Sequence, residues 1–190
     1  MKLILASNSP RRRELLGGLG LDFEVRVLPG IDESYPDDLR EGDIPLYISR
    51  EKANAYLASL QADELLITAD TIVWLDGEVL EKPKDEADAC RMLRELSGKT
   101  HQVFTGVCLT TREKQVAFSC RTDVTFAQLD KDEIQHYVRT YRPLDKAGAY
   151  GVQEWIGYIG VERVEGSYFN VVGLPVQRLY QALKQNFNIQ

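Results

Sequence analysis

Residues 65–75, Leu-Leu-Ile-Thr-Ala-Asp-Thr-Ile-Val-Trp-Leu, are the most apolar stretch of the chain, and one acid, Asp70, interrupts it. β-Branched and aromatic side chains in a run this short predict a buried strand, broken at Asp70. It is too short to cross a membrane as a helix, which takes roughly 18–20 apolar residues, and no longer run occurs. A buried strand needs a sheet with helices over it. The other strands are predicted at Leu3–Ala6, Phe23–Leu28, Glu78–Leu80 after an Asp76-Gly77 hairpin turn, His101–Thr111, Gln115–Leu129 and Gly157–Val164. Helices are expected from Pro10, capped by Ser9 and ended by Gly17, Gly18 and Gly20, and over Ile44–Leu60, capped by Asp43. Two more run over Asp85–Leu96 and from Asp130 to about Thr140, where Asp130 and Glu133 make a capping box. Pro175 opens the last, with Val176, Leu179, Tyr180 and Leu183 on one face. The pattern is α/β: a mixed β-sheet flanked by helices, in a single domain over residues 1–190 without repeats or linkers. A strictly alternating βαβ order is absent, which disfavours a plain dinucleotide-binding fold.

Charge narrows the partners. The chain has 29 Asp and Glu against 23 Lys and Arg, a formal charge of −6. A global grip on nucleic acid or on an anionic membrane is therefore not expected, and any polyanion site must gather its bases locally. Cys90, Cys108 and Cys120 are odd in number and contain no C-x-x-C, so neither a disulfide framework nor a structural zinc site is expected. Leu3–Ala6 is too short for the apolar core of a signal peptide. The expected compartment is the cytoplasm, with the cysteines as reduced thiols.

Three constellations could carry chemistry. In Ser7-Asn8-Ser9-Pro10-Arg11-Arg12-Arg13, a Ser9 cap puts three arginines in the first turn of a helix. Positive charge there opposes the helix dipole by about 0.3–1 kcal/mol per charge, so stability alone favours acids. A basic strand-to-helix turn suits a phosphate, because helix N–H groups and arginine forks both bind anions. The bland reading is a solvated basic face paired with acids such as Glu14. Asp70 is the second. A carboxylate in a buried strand is costly unless paired or metal-bound. It suits a metal ligand, a general base, or an acid closing a turn or pairing a buried arginine. The third is Asp32-Glu33, Glu51-Lys52 and Glu81-Lys82-Pro83, each beside a turn and each ordinary on a surface. With Asp70 and the arginines they suit a nucleoside triphosphate with Mg²⁺. The chain lacks G-x-x-x-x-G-K-[ST] and G-x-S-x-G, and His101 and His136 have no evident Ser or Cys partner.

Seven short segments occur in order: Leu-Ala-Ser-Asn-Ser-Pro-Arg-Arg at 5–12, Glu-Lys-Ala at 51–53, Ala-Asp-Thr at 69–71, Glu-Lys-Pro at 81–83, Leu-Ser-Gly at 96–98, Asp-Lys-Ala-Gly-Ala-Tyr-Gly-Val-Gln at 145–153 and Asn-Val-Val-Gly-Leu-Pro at 170–175. Together they resemble the Maf family of nucleoside triphosphate pyrophosphatases over nearly the whole chain. The resemblance implies an elongated fold like that of inosine triphosphatases, with a cleft between two lobes. It implies hydrolysis of a nucleoside triphosphate to monophosphate and pyrophosphate with a divalent cation, Mg²⁺ or Mn²⁺. It makes Asp70 the proton acceptor, sets Ser7, Arg12, Lys52 and Lys82 on phosphate, and joins Glu33 to Asp70 at the metal. The residues alone do not choose Glu33 over Asp32, or Arg12 over its neighbours.

Within the family, Arg11, Thr71 and Gln153 match the branch similar to dTTP and UTP pyrophosphatases. The 7-methyl-GTP branch carries Trp, Gln and Glu at those places. A glutamine offers both donor and acceptor to the imide edge of uracil or thymine, whereas a glutamate suits a cationic methylated guanine. Two other classes compete: a nucleotide-binding regulator of cell division with little turnover, and a sugar nucleotidyltransferase. The latter needs a glycine-rich loop where Ser7-Asn8-Ser9-Pro10 stands. The sequence leaves room for a homodimer.

Overall fold

The computed structural model describes residues 1–189. Along the chain run β1 (Lys2–Leu5), α1 (Pro10–Gly17), β2 (Phe23–Val25), α2 (Asp43–Asn54), β3 (Glu64–Leu75), β4 (Glu78–Leu80), α3 (Glu86–Leu96), β5 (Thr100–Thr110), β6 (Gln115–Phe126) and α4 (Lys131–Tyr141). A 3-10 turn (Ala147–Ala149), α5 (Trp155–Gly160), β7 (Val161–Glu165), α6 (Tyr168–Val172) and α7 (Val176–Phe187) follow. The strands form one seven-stranded sheet in the order β2-β1-β3-β5-β6-β7, with β4 paired to β3. β1 pairs parallel with β2 and β3, while β3–β4 and β6–β7 are antiparallel, so the sheet is mixed as expected. Among the described residues no helix is long and apolar enough to cross a membrane.

The chain forms two compact units. The first comprises Met1–Asp70, Thr105–Cys120 and the chain from Gly173 on; the second comprises Thr71–Phe104 and Arg121–Val172. In the first, side-chain alternation builds two cores. Leu3, Leu5, Leu65, Ile67, Ala69, Val107 and Leu109 pack with Leu16 of α1 and with Leu179 and Leu183 of α7. Ile4, Leu66 and Cys108, one residue out of phase, pack with Ala53 of α2 and with Tyr56 and Leu60. A strand buried on both faces is the reason residues 65–69 are continuously apolar. Thr68, the polar exception, donates from Oγ1 to the Ser49 carbonyl at 2.7 Å.

The second unit has one core. Ala89, Met92, Leu93 and Leu96 of α3 and Ile134, Tyr137 and Val138 of α4 pack on Val73, Leu75, Val103, Val124 and Phe126. Asp130 and Glu133 complete the expected reciprocal capping box, while Asp85, expected as the first residue of α3, instead caps it by accepting from the Asp88 N–H.

Several boundaries differ from expectation. β3 runs unbroken through Asp70. β2 stops at Val25 because the Arg26 carbonyl and the Leu28 N–H are taken by the Tyr56 hydroxyl at 3.1 and 2.9 Å. α2 ends at Asn54, and tighter turns carry the chain to Tyr56 and Ser59. Asp43 lies in the first turn of α2 and does not cap it. The largest difference lies at 157–160, where a helix turn, α5, precedes the strand. Gly157 decides this: its N–H donates to the Glu154 carbonyl at 2.9 Å, and any Cβ there would collide with the Val152 carbonyl. The short helix α6 was not foreseen.

Candidate active site

In the first unit the β1–α1 turn is built by its serines. Ser7, almost wholly buried, accepts from the Ser9 N–H at 3.2 Å, and Ser9 accepts from the Arg12 N–H at 3.4 Å as the N-cap of α1. Pro10 takes the first helical position. Arg12 then folds back on the chain. Its Nε donates to the Gly173 carbonyl at 2.8 Å and its Nη1 to the Ala69 carbonyl at 3.0 Å. Burial lowers the Arg12 pKa from its ordinary value; Asp70 pulls it back up, Arg11 adds to the lowering, and Glu33 opposes it. The arginine that violates the dipole rule at α1 thus satisfies two backbone acceptors elsewhere, a role not visible in the α1 sequence.

Lys52, in the last turn of α2, gathers the acids. Its Nζ lies 2.9 Å from Asp70 Oδ1, 2.9 Å from Glu33 Oε1 and 3.5 Å from the Ala69 carbonyl. Lys52 and Asp70 are largely buried, with side chains 14% exposed each, whereas Glu33 is 57% exposed. In the first unit the Ala69 carbonyl and two ion pairs thus link Arg12, Lys52, Asp70 and Glu33, while Ser7 lies in the turn that opens α1. The neighbours are spent locally. Asp32 accepts from the Ser34 N–H and hydroxyl at 2.8 Å each, and Glu51 accepts from the Asn54 amide at 3.1 Å. Arg11 is half-buried at the second position of α1.

Glu33 and Asp70 share one ammonium, and among the described residues no third His, Cys, Asp or Glu joins them. Two hard carboxylates fit a Mg²⁺ or Mn²⁺ ion, which takes one or two protein carboxylates and completes its shell with water and substrate phosphate.

Thr71, Lys82 and Gln153 belong to the second unit. Thr71 is half-buried on β3, and Lys82 is exposed just after β4. The Glu81 carbonyl accepts from the Gly148 N–H at 3.2 Å, and Gly148, at φ +68°, lies over Val73, where a Cβ would come within 2.9 Å of a methyl. Glu81, just before Lys82, thus meets the 145–153 motif, which lies over the part of β3 that follows Thr71. Gln153 is exposed in a turn closed by the Glu154 N–H donating to the Gly151 carbonyl at 3.0 Å.

Around that turn the structure reveals a hydrogen-bond network, centred on Tyr137, that sequence reasoning did not foresee. Tyr137 Oη donates to Glu154 Oε2 at 2.8 Å and accepts from the Gly151 N–H at 3.0 Å. Glu154 Oε1 pairs with Lys146 at 3.0 Å, and Lys146 also pairs with Asp145 at 2.9 Å. Tyr150 Oη lies 2.6 Å from His101 Nε2, in an edge-to-face cluster with Phe126. The available signal was a tyrosine in the apolar stripe of α4, since a buried phenol hydroxyl needs a partner.

A family model described as Maf-like protein matches residues 2–186. A dTTP/UTP pyrophosphatase of Phocaeicola vulgatus is 65% identical over 184 residues, covering 97% of this chain and 95% of the relative. A dTTP/UTP pyrophosphatase of Porphyromonas gingivalis is 56% identical over 185 residues, covering 96% and 93%. A nucleoside-triphosphatase / dITP/XTP pyrophosphatase of Mycobacterium abscessus aligns structurally at 19% identity with a TM-score of 0.43, covering 68% of this chain and 76% of that one.

Proposed function

The chain belongs to the Maf family, and from that premise we propose that it is a nucleoside triphosphate pyrophosphatase hydrolysing dTTP and UTP to the monophosphate and pyrophosphate. The observation that carries the reading is the bridge of Lys52 between Asp70 and Glu33, beside a buried arginine that is already fixed in place.

Asp70 accepts a proton from water, the water oxygen attacks the α-phosphorus, and the α–β phosphoanhydride breaks with pyrophosphate leaving. Lys52 fixes the orientation of the Asp70 carboxylate through Oδ1. Arg12 adds positive charge from a side chain locked by two carbonyls, so little order has to be gained when phosphate arrives. Ser7, Lys52 and Lys82 complete the phosphate-binding set. Glu33 and Asp70 would hold a divalent cation, which would neutralise charge on the phosphate oxygens. Arg11, Thr71 and Gln153 read the base, with the Gln153 amide presenting both a donor and an acceptor to the pyrimidine imide edge.

A panel of nucleoside triphosphates with Mg²⁺ or Mn²⁺, scored for pyrophosphate release, tests the proposal. dTTP and UTP should be cleaved fastest. Binding without turnover would instead favour a regulator, and a flat ranking would remove the pyrimidine assignment.

A further inference from the structure

The exposed amide of Gln153 stands on one of the most constrained turns of the second unit. In the turn Gly151–Glu154, the N–H of the first residue and the carboxylate of the fourth both bond to one buried hydroxyl, Tyr137 Oη, at 3.0 and 2.8 Å. The Glu154 N–H closes the turn onto the Gly151 carbonyl at 3.0 Å. The Lys146 ammonium holds the other oxygen of Glu154 at 3.0 Å from a side chain only 12% exposed. The preceding residue, Tyr150, is pinned to His101 at 2.6 Å, and Gly157 packs on the Val152 carbonyl. Tyr137 itself is fully buried on α4. A hydroxyl that serves as one donor and one acceptor to the two ends of a single turn sets the geometry of what lies between them.

We propose that Tyr137 is a positioning residue for Gln153: its hydroxyl pins both ends of the turn that presents the amide, so pyrimidine selectivity depends on a side chain that touches no substrate. The inference rests on the reading of Gln153 as a base-reading residue. Burial and the adjacent Glu154 carboxylate raise the Tyr137 pKa, so the hydroxyl remains a donor over the working pH range. Tyr137→Phe keeps the ring and its stacking on Tyr141, with centroids 5.2 Å apart, and removes only the staple. A loosened site loses selectivity before it loses chemistry, because the reacting groups are held elsewhere.

The test is kcat and KM for dTTP and dATP in wild type, Tyr137→Phe, Gln153→Ala and the double variant. Tyr137→Phe should lower the dTTP-over-dATP ratio of kcat/KM by about 5–10-fold through KM, with kcat for dTTP within about twofold. The double variant should match Gln153→Ala alone, because the staple has nothing left to position. If Tyr137→Phe does not fold, Glu154→Ala, at the partly exposed end of the staple, should lower the ratio by about 3–5-fold. An unchanged ratio in whichever of these two variants is measured, or additive losses in the double variant, overturns the proposal alone. An unchanged ratio in Gln153→Ala overturns the reading of Gln153 and the proposal with it.

Discussion

The two units hold their polar groups with different balances of charge and neutral hydrogen bonding. The first does it with charge. Arg12, Lys52, Asp70 and Glu33 are fixed by ion pairs and by carbonyls that accept from cations. The second presents Gln153 on a turn whose ends meet at one neutral hydroxyl, with a Lys146–Glu154 ion pair and a tyrosine–histidine bond as supports. Charge suits proton transfer and phosphate binding, because it acts strongly on a polyanion and depends loosely on angle. Neutral hydrogen bonds suit the choice of a base, because they fail when geometry is wrong and leave polar groups unpaired.

The comparison breaks most visibly at Asp70. Asp70→Asn should cut kcat by about 10²–10⁴-fold while the protein stays folded, since asparagine cannot accept the proton. Pyrophosphate release from dTTP measures it, and turnover within a few-fold of wild type would return Asp70 to a structural role.

Acid separates the units next. His101, buried in the second, is pushed from 6.5 down to about 4 by burial, against a weaker pull from Asp123. Its contribution is complete above pH 6.5 and is lost as pH falls through 4, on the order of 2–3 kcal/mol. Glu64 in the first is held down from 4.5 to about 2, chiefly by hydrogen bonds from Arg26 and from the Gln61 N–H. Its contribution is present above pH 4.5 and is lost from there down to 2, on the order of 2 kcal/mol with Arg26 partly exposed. Urea denaturation between pH 7 and 3 should show stability falling from about pH 6.5, earlier than carboxylates alone require. His101→Gln should flatten the upper window and Glu64→Gln the lower. A fall that begins only below pH 4.5 in wild type would remove the buried neutral histidine from this account.

Selectivity is the third contrast. Gln153→Glu should lower kcat/KM on dTTP and UTP by roughly 5- to 150-fold, the equivalent of about 1–3 kcal/mol, and affect other triphosphates less. The smallest effect is on stability. Arg12→Ala removes the two hydrogen bonds that Arg12 gives the Ala69 and Gly173 carbonyls, so the ligand-free Tm should fall, by the equivalent of about 1–2 kcal/mol. The dipole argument from α1 alone predicts no loss or a slight gain, and an unchanged Tm would favour it.

That reversal marks what could be read from the chain. Asp70 in an apolar strand and arginines in the first turn of a helix break local rules, and broken rules point to sites. The family resemblance named Glu33 over Asp32, and in the structure Glu33 pairs with Lys52 while Asp32 is taken up by Ser34. Tyr137 breaks no rule: in the stripe of α4 beside Ile134 and Val138 it looks like core, and only the partners of its hydroxyl give it a role. The continuity of β3 through Asp70 was hidden for a related reason, since an acid read as a break is tolerated when Lys52 meets it. α5 was missed because Gly157 helps form it by letting the Val152 carbonyl approach, a contact with no local signature.

The division of labour is tested most directly by returning to Asp70→Asn and measuring equilibrium binding of dTTP and dATP with Mg²⁺ present. If charge in the first unit runs the chemistry and the Gln153 turn makes the choice, the variant loses turnover yet still binds dTTP in preference to dATP by the wild-type ratio. A preference that disappears together with turnover would contradict the account, because Asp70 would then be selecting the substrate as well as cleaving it.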